Sequence, residues 1–265
     1  MHNPQSPSPG IEGLRHHFET RQPTIIMTIA RAILVLLFAL LIPFASAEEG
    51  KHLFILSGQS NMARMVTTYS FTPTVQEAFG KNNVVVVKIA QSGQPIRRWS
   101  KNWQVQEGQN PAQIGDIYDR MIRAVLDKGD PKGYASVTFI WMQGESDANQ
   151  RLADYYESAF LDVLEQLQTD LGRDDINIVI GRLSDFDLEN KRYRHWTRIR
   201  EIQVGLAEKL PHATWVDTDD LNDGFNADGE PIENDLHYSS DGYVLFGKRL
   251  ADAAISLIKE SDHSN

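Results

Sequence analysis

Apolar residues along this chain gather in short runs separated by longer stretches with helical spacing. The runs are Leu53–Leu56, Val84–Ile89, Val137–Met142, Ile176–Ile180 and Thr214–Val216. Each is nearly continuous rather than alternating, as expected of parallel strands covered on both faces. Between them, one helical stripe is formed by Leu152, Tyr156, Phe160, Val163, Leu167 and Leu171, and another by Tyr243, Phe246, Leu250, Ala253 and Leu257. Ile199, Ile202, Leu206 and Leu210 predict a third helix. Asp241, just before Gly242, is expected to open the last helix by accepting from its free backbone donors. Strands and helices in alternation predict right-handed crossovers, hence a three-layer α/β/α sandwich with a mainly parallel sheet of about five strands. The Asp-, Asn- and Gly-rich segment Asp217–Asp235 reads as a long loop before the last helix.

A different pattern occupies the N-terminus. Residues 33–42 are an uninterrupted apolar run, preceded by Arg31 and followed by Pro43-Phe44-Ala45-Ser46-Ala47. A basic residue, a short apolar stretch and a small-x-small end read as a secretory signal cleaved after Ala47. The alternative, a retained membrane anchor, asks for ~20 apolar residues, about twice what is present. Residues 1–47 are therefore expected to be an extension plus signal, with Met27 a possible true start. Residues 48–265 are expected to form a single domain, exported to the periplasm or beyond and not inserted in the membrane after cleavage.

Composition narrows the chemistry. The 265 residues include no cysteine, so disulfides, thiolate metal sites and a thiol nucleophile are all excluded. A net charge of −10 with no evident basic face argues against a nucleic-acid partner. Nothing in the pattern signals an oligomer.

Ligands of open parallel sheets bind beyond the carboxyl ends of the strands. Read that way, the chain delivers polar residues to this edge strand after strand. Ser57-Gly58-Gln59-Ser60-Asn61-Met62 follows the first, Gln91-Ser92-Gly93-Gln94 the second, Gln143-Gly144-Glu145-Ser146-Asp147 the third, and Ser184-Asp185 the fourth. His237 lies in Glu233-Asn234-Asp235-Leu236-His237-Tyr238. Singly, each has an ordinary reading: Gly-x-Ser is a common turn, Asn61 a helix cap, Gln143 and Glu145 loop scaffolding, and a lone His a structural residue. Together they supply a nucleophile, an oxyanion hole and a base paired with a carboxylate.

The blocks Gly58-Gln59-Ser60-Asn61-Met62, Gln143-Gly144-Glu145-Ser146-Asp147 and Asp235-Leu236-His237-Tyr238 resemble those of the SGNH-type serine esterases. More narrowly, they are similar to the sialate O-acetylesterase-like group, which includes the acetyl xylan esterases of carbohydrate esterase family 6. The resemblance runs from His52 to about Ala254. It implies a flavodoxin-like fold and removal of acetyl groups from a carbohydrate, without metal or organic cofactor. Residue by residue, it implies Ser60 as nucleophile and His237 as general base. The oxyanion hole would be built from the backbone N–H groups of Ser60 and Gly93 and the Gln143 side chain. Many SGNH members carry the orienting Asp three residues before the His, where this chain has Asn234. Either Asp235 or Glu145 then orients His237. No G-x-S-x-G elbow is present, because Met62 takes its last position.

Gln59, Arg97, Trp99 and Trp103 are candidates to grip the sugar, although solvated Arg beside packed Trp is an equal reading; Tyr193, His195 and Trp196 are weaker ones. Arg97 and Arg98 are the candidates for a basic patch. The acidic Asp217-Thr218-Asp219-Asp220 run lacks EF-hand spacing and reads as a solvated loop. Two other functions fit the same residues: an SGNH lipase, thioesterase or arylesterase acting on longer acyl chains, and a carbohydrate-binding module without turnover.

Overall fold

The computed structural model describes residues 50–104 and 113–263. The signal-peptide reading and the proposed start at Met27 lie outside the described residues.

The apolar runs become the strands of one parallel sheet. β1 (His52–Gly58) is followed by α1 (Ser60–Arg64), α2 (Phe71–Phe79) and β2 (Val84–Ala90), then α3 (Asp116–Leu126) and β3 (Ser136–Met142). Next come α4 (Glu145–Gln150), α5 (Ala153–Leu171), β4 (Asn177–Gly181), α6 (Trp196–Lys209) and β5 (Ala213–Val216). A two-stranded hairpin, β6 (Gly224–Phe225) with β7 (Pro231–Ile232), precedes the last helix, α7 (Ser240–His263). The strand order is β2-β1-β3-β4-β5 with every pairing parallel, the doubly wound order of flavodoxin-like folds. α2 packs with α7, while α5 packs with both α3 and α6.

Burial explains why these runs are strands. β1 is buried along its whole length and β3 from its second residue onward, because both are central and covered on both faces. β2, at the edge, is buried at only Val87. The three predicted helical stripes are the core faces of α5, α6 and α7, with Tyr156, Phe160, Ile199, Phe246 and Leu250 all fully buried. Two local expectations are corrected. The loop Asp217–Asp235 contains the hairpin. The last helix is capped by Ser239 rather than Asp241: the Ser239 hydroxyl accepts the Gly242 N–H at 3.1 Å, and Asp241 sits in the first turn.

Register brings the functional blocks together. Gly58 ends β1 opposite Ala90 of β2 and Met142 of β3. The segments beginning at Gln59, Gln91 and Gln143 therefore leave the sheet side by side. Gly58 is obligatory: its φ is +145°, and a Cβ there would lie 1.8 Å from the Met142 carbonyl oxygen. Gly144 has φ +143°, and a Cβ would approach Ile199 to 2.7 Å. These two glycines let the strands turn sharply while the following residues stay packed against each other.

Candidate active site

The first turn after β1 forms α1, which begins at Ser60. This helix has no side-chain N-cap. Its first N–H groups have no acceptor within the helix, as at any helix start. Its other end is held by Lys88 of β2, whose ammonium donates to the carbonyls of Met62, Ala63 and Met65 at 3.3, 3.0 and 2.6 Å. A cation there satisfies the last carbonyls and complements the helix dipole. Its half-buried position pushes the Lys88 pKa down.

His237 comes from the turn between the hairpin and α7. Its Nε2 lies 3.1 Å from the Ser60 Oγ, although the two residues are 177 positions apart in sequence. The turn is locally built: the Asp235 carboxylate accepts the His237 backbone N–H at 2.8 Å. The same Asp235 oxygen stands 4.0 Å from His237 Nδ1. Buried Asn222 holds the base of the turn, donating to Asn234 Oδ1 and to the Asp235 carbonyl at 3.2 and 3.1 Å. Burial lowers the His237 pKa below 6.5; nearby Arg64 lowers it further, and Asp235 pulls it back up.

The two carboxylates proposed to orient His237 are thus separated by the fold. Asp235 is the one within ion-pair reach of Nδ1. Glu145 is fully buried beneath Asn61, whose amide donates to Glu145 Oε1 at 3.0 Å and to the Leu236 carbonyl at 3.2 Å. Tyr243 donates its hydroxyl to Asn61 Oδ1 at 2.9 Å. Glu145 therefore acts on the histidine turn through Asn61, which corrects its reading as a direct partner of His237.

Gln143 is corrected in the same way. It is completely buried, and its amide N–H groups face Asp147 Oδ2 at 2.5 Å, the Gln94 carbonyl at 3.0 Å and Gln59 Oε1 at 3.3 Å. Two hydrogens already have three acceptors, so none is left for an oxyanion. Its backbone carbonyl accepts from Tyr156 and Gln203 at 2.7 and 2.8 Å. Gln143 is a buried strut beneath the site. Gln59, also expected to meet substrate, is buried; its side-chain oxygen accepts the Ser146 N–H at 3.1 Å.

Asp147 completes the strut. Its Oδ2 also accepts the Ile96 N–H at 2.9 Å, tying the loop after β2 to the turn after β3. Glu145 and Asp147 each keep one buried oxygen without a hydrogen-bond donor. Ionisation is poorly solvated there, and burial pushes both pKa values up to about 7.

Gly93 sits exposed in that loop with φ +71°, and a Cβ on it would meet nothing within 4 Å. Space beside the loop is therefore open. The residues expected to grip sugar nearby divide. Trp99 is fully buried, donates to Ser57 Oγ at 2.8 Å and packs edge-on against Trp141, so it is a core residue rather than a sugar platform. Arg98 is bound to Asp116 and Gln94, whereas Arg97, half-exposed, donates only to the neutral amide of Gln150 at 3.0 Å. Trp196 is buried and donates to the Ser184 carbonyl, while Tyr193 is half-buried beside it. Among the described residues no cluster of His, Asp and Glu is arranged to hold a metal ion. The Asp217–Asp220 run is occupied with arginines: Asp217 and Asp219 pair with Arg182, Asp219 also with Arg200, and Asp220 with Arg249.

A serine against a histidine at the carboxyl edge of a doubly wound parallel sheet defines a class, the α/β serine ester hydrolases of the SGNH kind. Within it, the family model described as carbohydrate esterase, sialic acid-specific acetylesterase, matches residues 63–256. The chain belongs to that family and is a carboxylic ester hydrolase that removes O-acetyl groups from carbohydrates. Solved structures share the fold. A protein from Arabidopsis thaliana is 20% identical with a TM-score of 0.56, over 78% of this chain and 98% of that one. A carbohydrate acetylesterase from Xanthomonas citri is 17% identical with a TM-score of 0.57, over 80% of this chain but only 57% of its own. NanS is 13% identical with a TM-score of 0.50, over 82% of this chain and 99% of its own. No curated protein sequence matches the chain.

Proposed function

We propose that the deacetylation proceeds by two-step acyl transfer through Ser60. The single observation that carries this reading is the 3.1 Å contact between Ser60 Oγ and His237 Nε2. For Nε2 to accept the serine proton, the neutral ring must carry its hydrogen on Nδ1, the nitrogen that faces Asp235. Oγ then bonds to the acetyl carbonyl carbon as its proton passes to Nε2. The Ser60 and Gly93 backbone N–H groups hold the oxyanion; one such donor contributes roughly 2.7–4 kcal/mol. As the tetrahedral intermediate collapses, the bond from carbonyl carbon to sugar oxygen breaks and that oxygen takes the proton from His237. Water, deprotonated by the same His237, then attacks the acetyl-enzyme and releases acetate and free Ser60.

The substrate is an O-acetylated sugar, with a sialic acid as the first choice and acetylated xylan as the second; the sialic-acid reading is supported by the description of the matching family. We include export in the reading, supported by the apolar run 33–42 and the small residues that close it.

The test is acetate release by the exported form, residues 48–265, from O-acetylated sialic acid and acetylated xylan. Ser60→Ala is expected to lower kcat by about 10⁴-fold or more. Equal release by both proteins would remove Ser60 from the chemistry.

A further inference from the structure

Gly93 stands at the tip of the loop after β2, where little touches it. It is exposed with a left-handed φ, and its carbonyl receives the Ser146 hydroxyl at 3.3 Å. The direction of its N–H is set one residue earlier. A trans peptide is planar, so the Ser92 carbonyl and the Gly93 N–H point in opposite directions within one rigid unit. That carbonyl accepts the Gln94 side-chain Nε2 at 3.0 Å. The same amide is fixed at its other end, where Gln94 Oε1 accepts from Arg98 Nη1 at 2.5 Å. Arginine can only donate and a carbonyl can only accept, so the amide stands in one orientation, oxygen to Arg98 and nitrogen to Ser92. Arg98 is held in turn. It is buried, and its guanidinium forks onto Asp116, Nε to Oδ1 at 2.5 Å and Nη2 to Oδ2 at 2.6 Å. Such a fork fixes the plane of a guanidinium as well as its place. Asp116 lies in the first turn of α3, where the helix dipole favours an anion. The same end of α3 grips the loop twice more: the Gly115 N–H donates to the Arg97 carbonyl at 3.0 Å, and Arg120 donates to Gln91 Oε1 at 2.5 Å.

We propose that Asp116, Arg98 and Gln94 form a positioning relay that orients the Ser92–Gly93 peptide, and with it the oxyanion donor. Each acts through the next rather than on the substrate. The inference rests on the acyl-transfer reading above, in which the Gly93 N–H receives the developing negative charge. Its physical basis is preorganisation. An N–H already aimed at the oxyanion needs no reorganisation as charge develops, whereas a glycine has more backbone freedom than any other residue. Asp147 and Gln143 anchor the loop from beneath, at the Ile96 N–H and the Gln94 carbonyl. Neither of those bonds reaches the Ser92–Gly93 peptide; the Gln94 side chain does. The role also needs an amide in particular. A glutamate of the same shape would still accept from Arg98 but would turn a second acceptor toward the Ser92 carbonyl.

Steady-state kinetics on 4-nitrophenyl acetate and on 9-O-acetyl-N-acetylneuraminate test it. Gln94→Glu is expected to lower kcat about 10- to 100-fold, short of the roughly 10²–10³-fold for a donor removed outright, with KM changed by less than about twofold. Gln94 is half-buried on a loop, so this variant is expected to fold and to melt within about 2 °C of wild type. Arg98→Lys cannot serve Asp116 and Gln94 together, and is expected to lower kcat about tenfold. The double variant Gln94→Leu/Arg98→Lys separates a relay from independent structural damage. If Arg98 acts through Gln94, its kcat matches that of Gln94→Leu alone within about twofold, whereas unrelated losses multiply. Wild-type kcat in Gln94→Glu, or losses that multiply in the double variant, overturns the inference and leaves Ser60 in its role. Undiminished turnover by Ser60→Ala would instead remove the acyl-transfer reading, and the inference with it.

Discussion

His237 shows how a single residue's environment sets a rate profile. Burial and Arg64 both disfavour its charged form, so the acid limb of kcat/KM should bend below 6.5, the ordinary histidine value. A pH–rate profile with its inflection above 6.5 would contradict this. Asp235 and Glu145 are likewise separable by substitution. Asp235→Asn removes the anion within reach of Nδ1 and should lower kcat by about 10²-fold, less than the ~10⁴-fold of a tightly bonded triad because the gap is 4.0 Å. Glu145→Gln keeps an acceptor for Asn61 and should cost less than about tenfold. Reversed magnitudes in the two variants would restore Glu145 as the direct partner. The serine, the histidine and the competing carboxylates were all legible in the sequence, because each sits in a short polar block after an apolar run. Tyr243, Asn222 and Lys88 were not. They lie inside a helix, a loop and a strand, where nothing local distinguishes a residue aimed at the site from one aimed elsewhere.

At the scale of elements, α1 is the informative case. It has only five residues, too few to be stable alone, and its shape depends on Lys88 bonding its final carbonyls. Lys88→Met removes three donors and leaves partly buried acceptors unsatisfied. It should lower stability by about 2 kcal/mol and Tm by about 5 °C. Because Ser60 begins the same helix, kcat should fall while KM stays nearly constant. A variant that matches wild type in both melting and kcat would show that α1 holds its geometry unaided. The short helices α1 and α4 escape periodicity, which needs several turns to show. Glycine signals are different in kind: Gly58 and Gly144 stand in the sequence at the ends of apolar runs, but the clash that makes them obligatory depends on a neighbouring strand.

For the whole molecule, the buried pair Glu145 and Asp147 ties stability to pH. Both carboxyls are raised, from 4.5 and 3.8 in the unfolded chain to about 7 in the fold. Between those values the native state holds protons that the unfolded chain has lost, so this pair makes stability fall as pH rises from about 4 to about 7. Opposing slopes come from groups shifted downward. Asp116 and Asp220, bonded to arginines, add stability that appears as pH rises through the acid range below 3.8. The contribution of the pair is isolated by Asp147→Asn: urea unfolding at pH 5 and pH 8 should show a smaller loss with rising pH than wild type. An identical pH dependence in the two proteins would show that Asp147 does not carry a raised pKa.

The five-stranded parallel sheet, its long helices and the blocks that bear Ser60, Gly93, Glu145 and His237 can all be read along the chain. These follow from local periodicity and from residue types that chemistry requires. What each polar residue touches was set by the fold. It sent Trp99 to the core, spent the Gln143 amide on Asp147 and Gln94, and turned Glu145 to Asn61 while bringing Asp235 nearer His237. Side-chain direction and hydrogen-bond partnership depend on strands and turns distant in sequence, and no short window of residues contains that information.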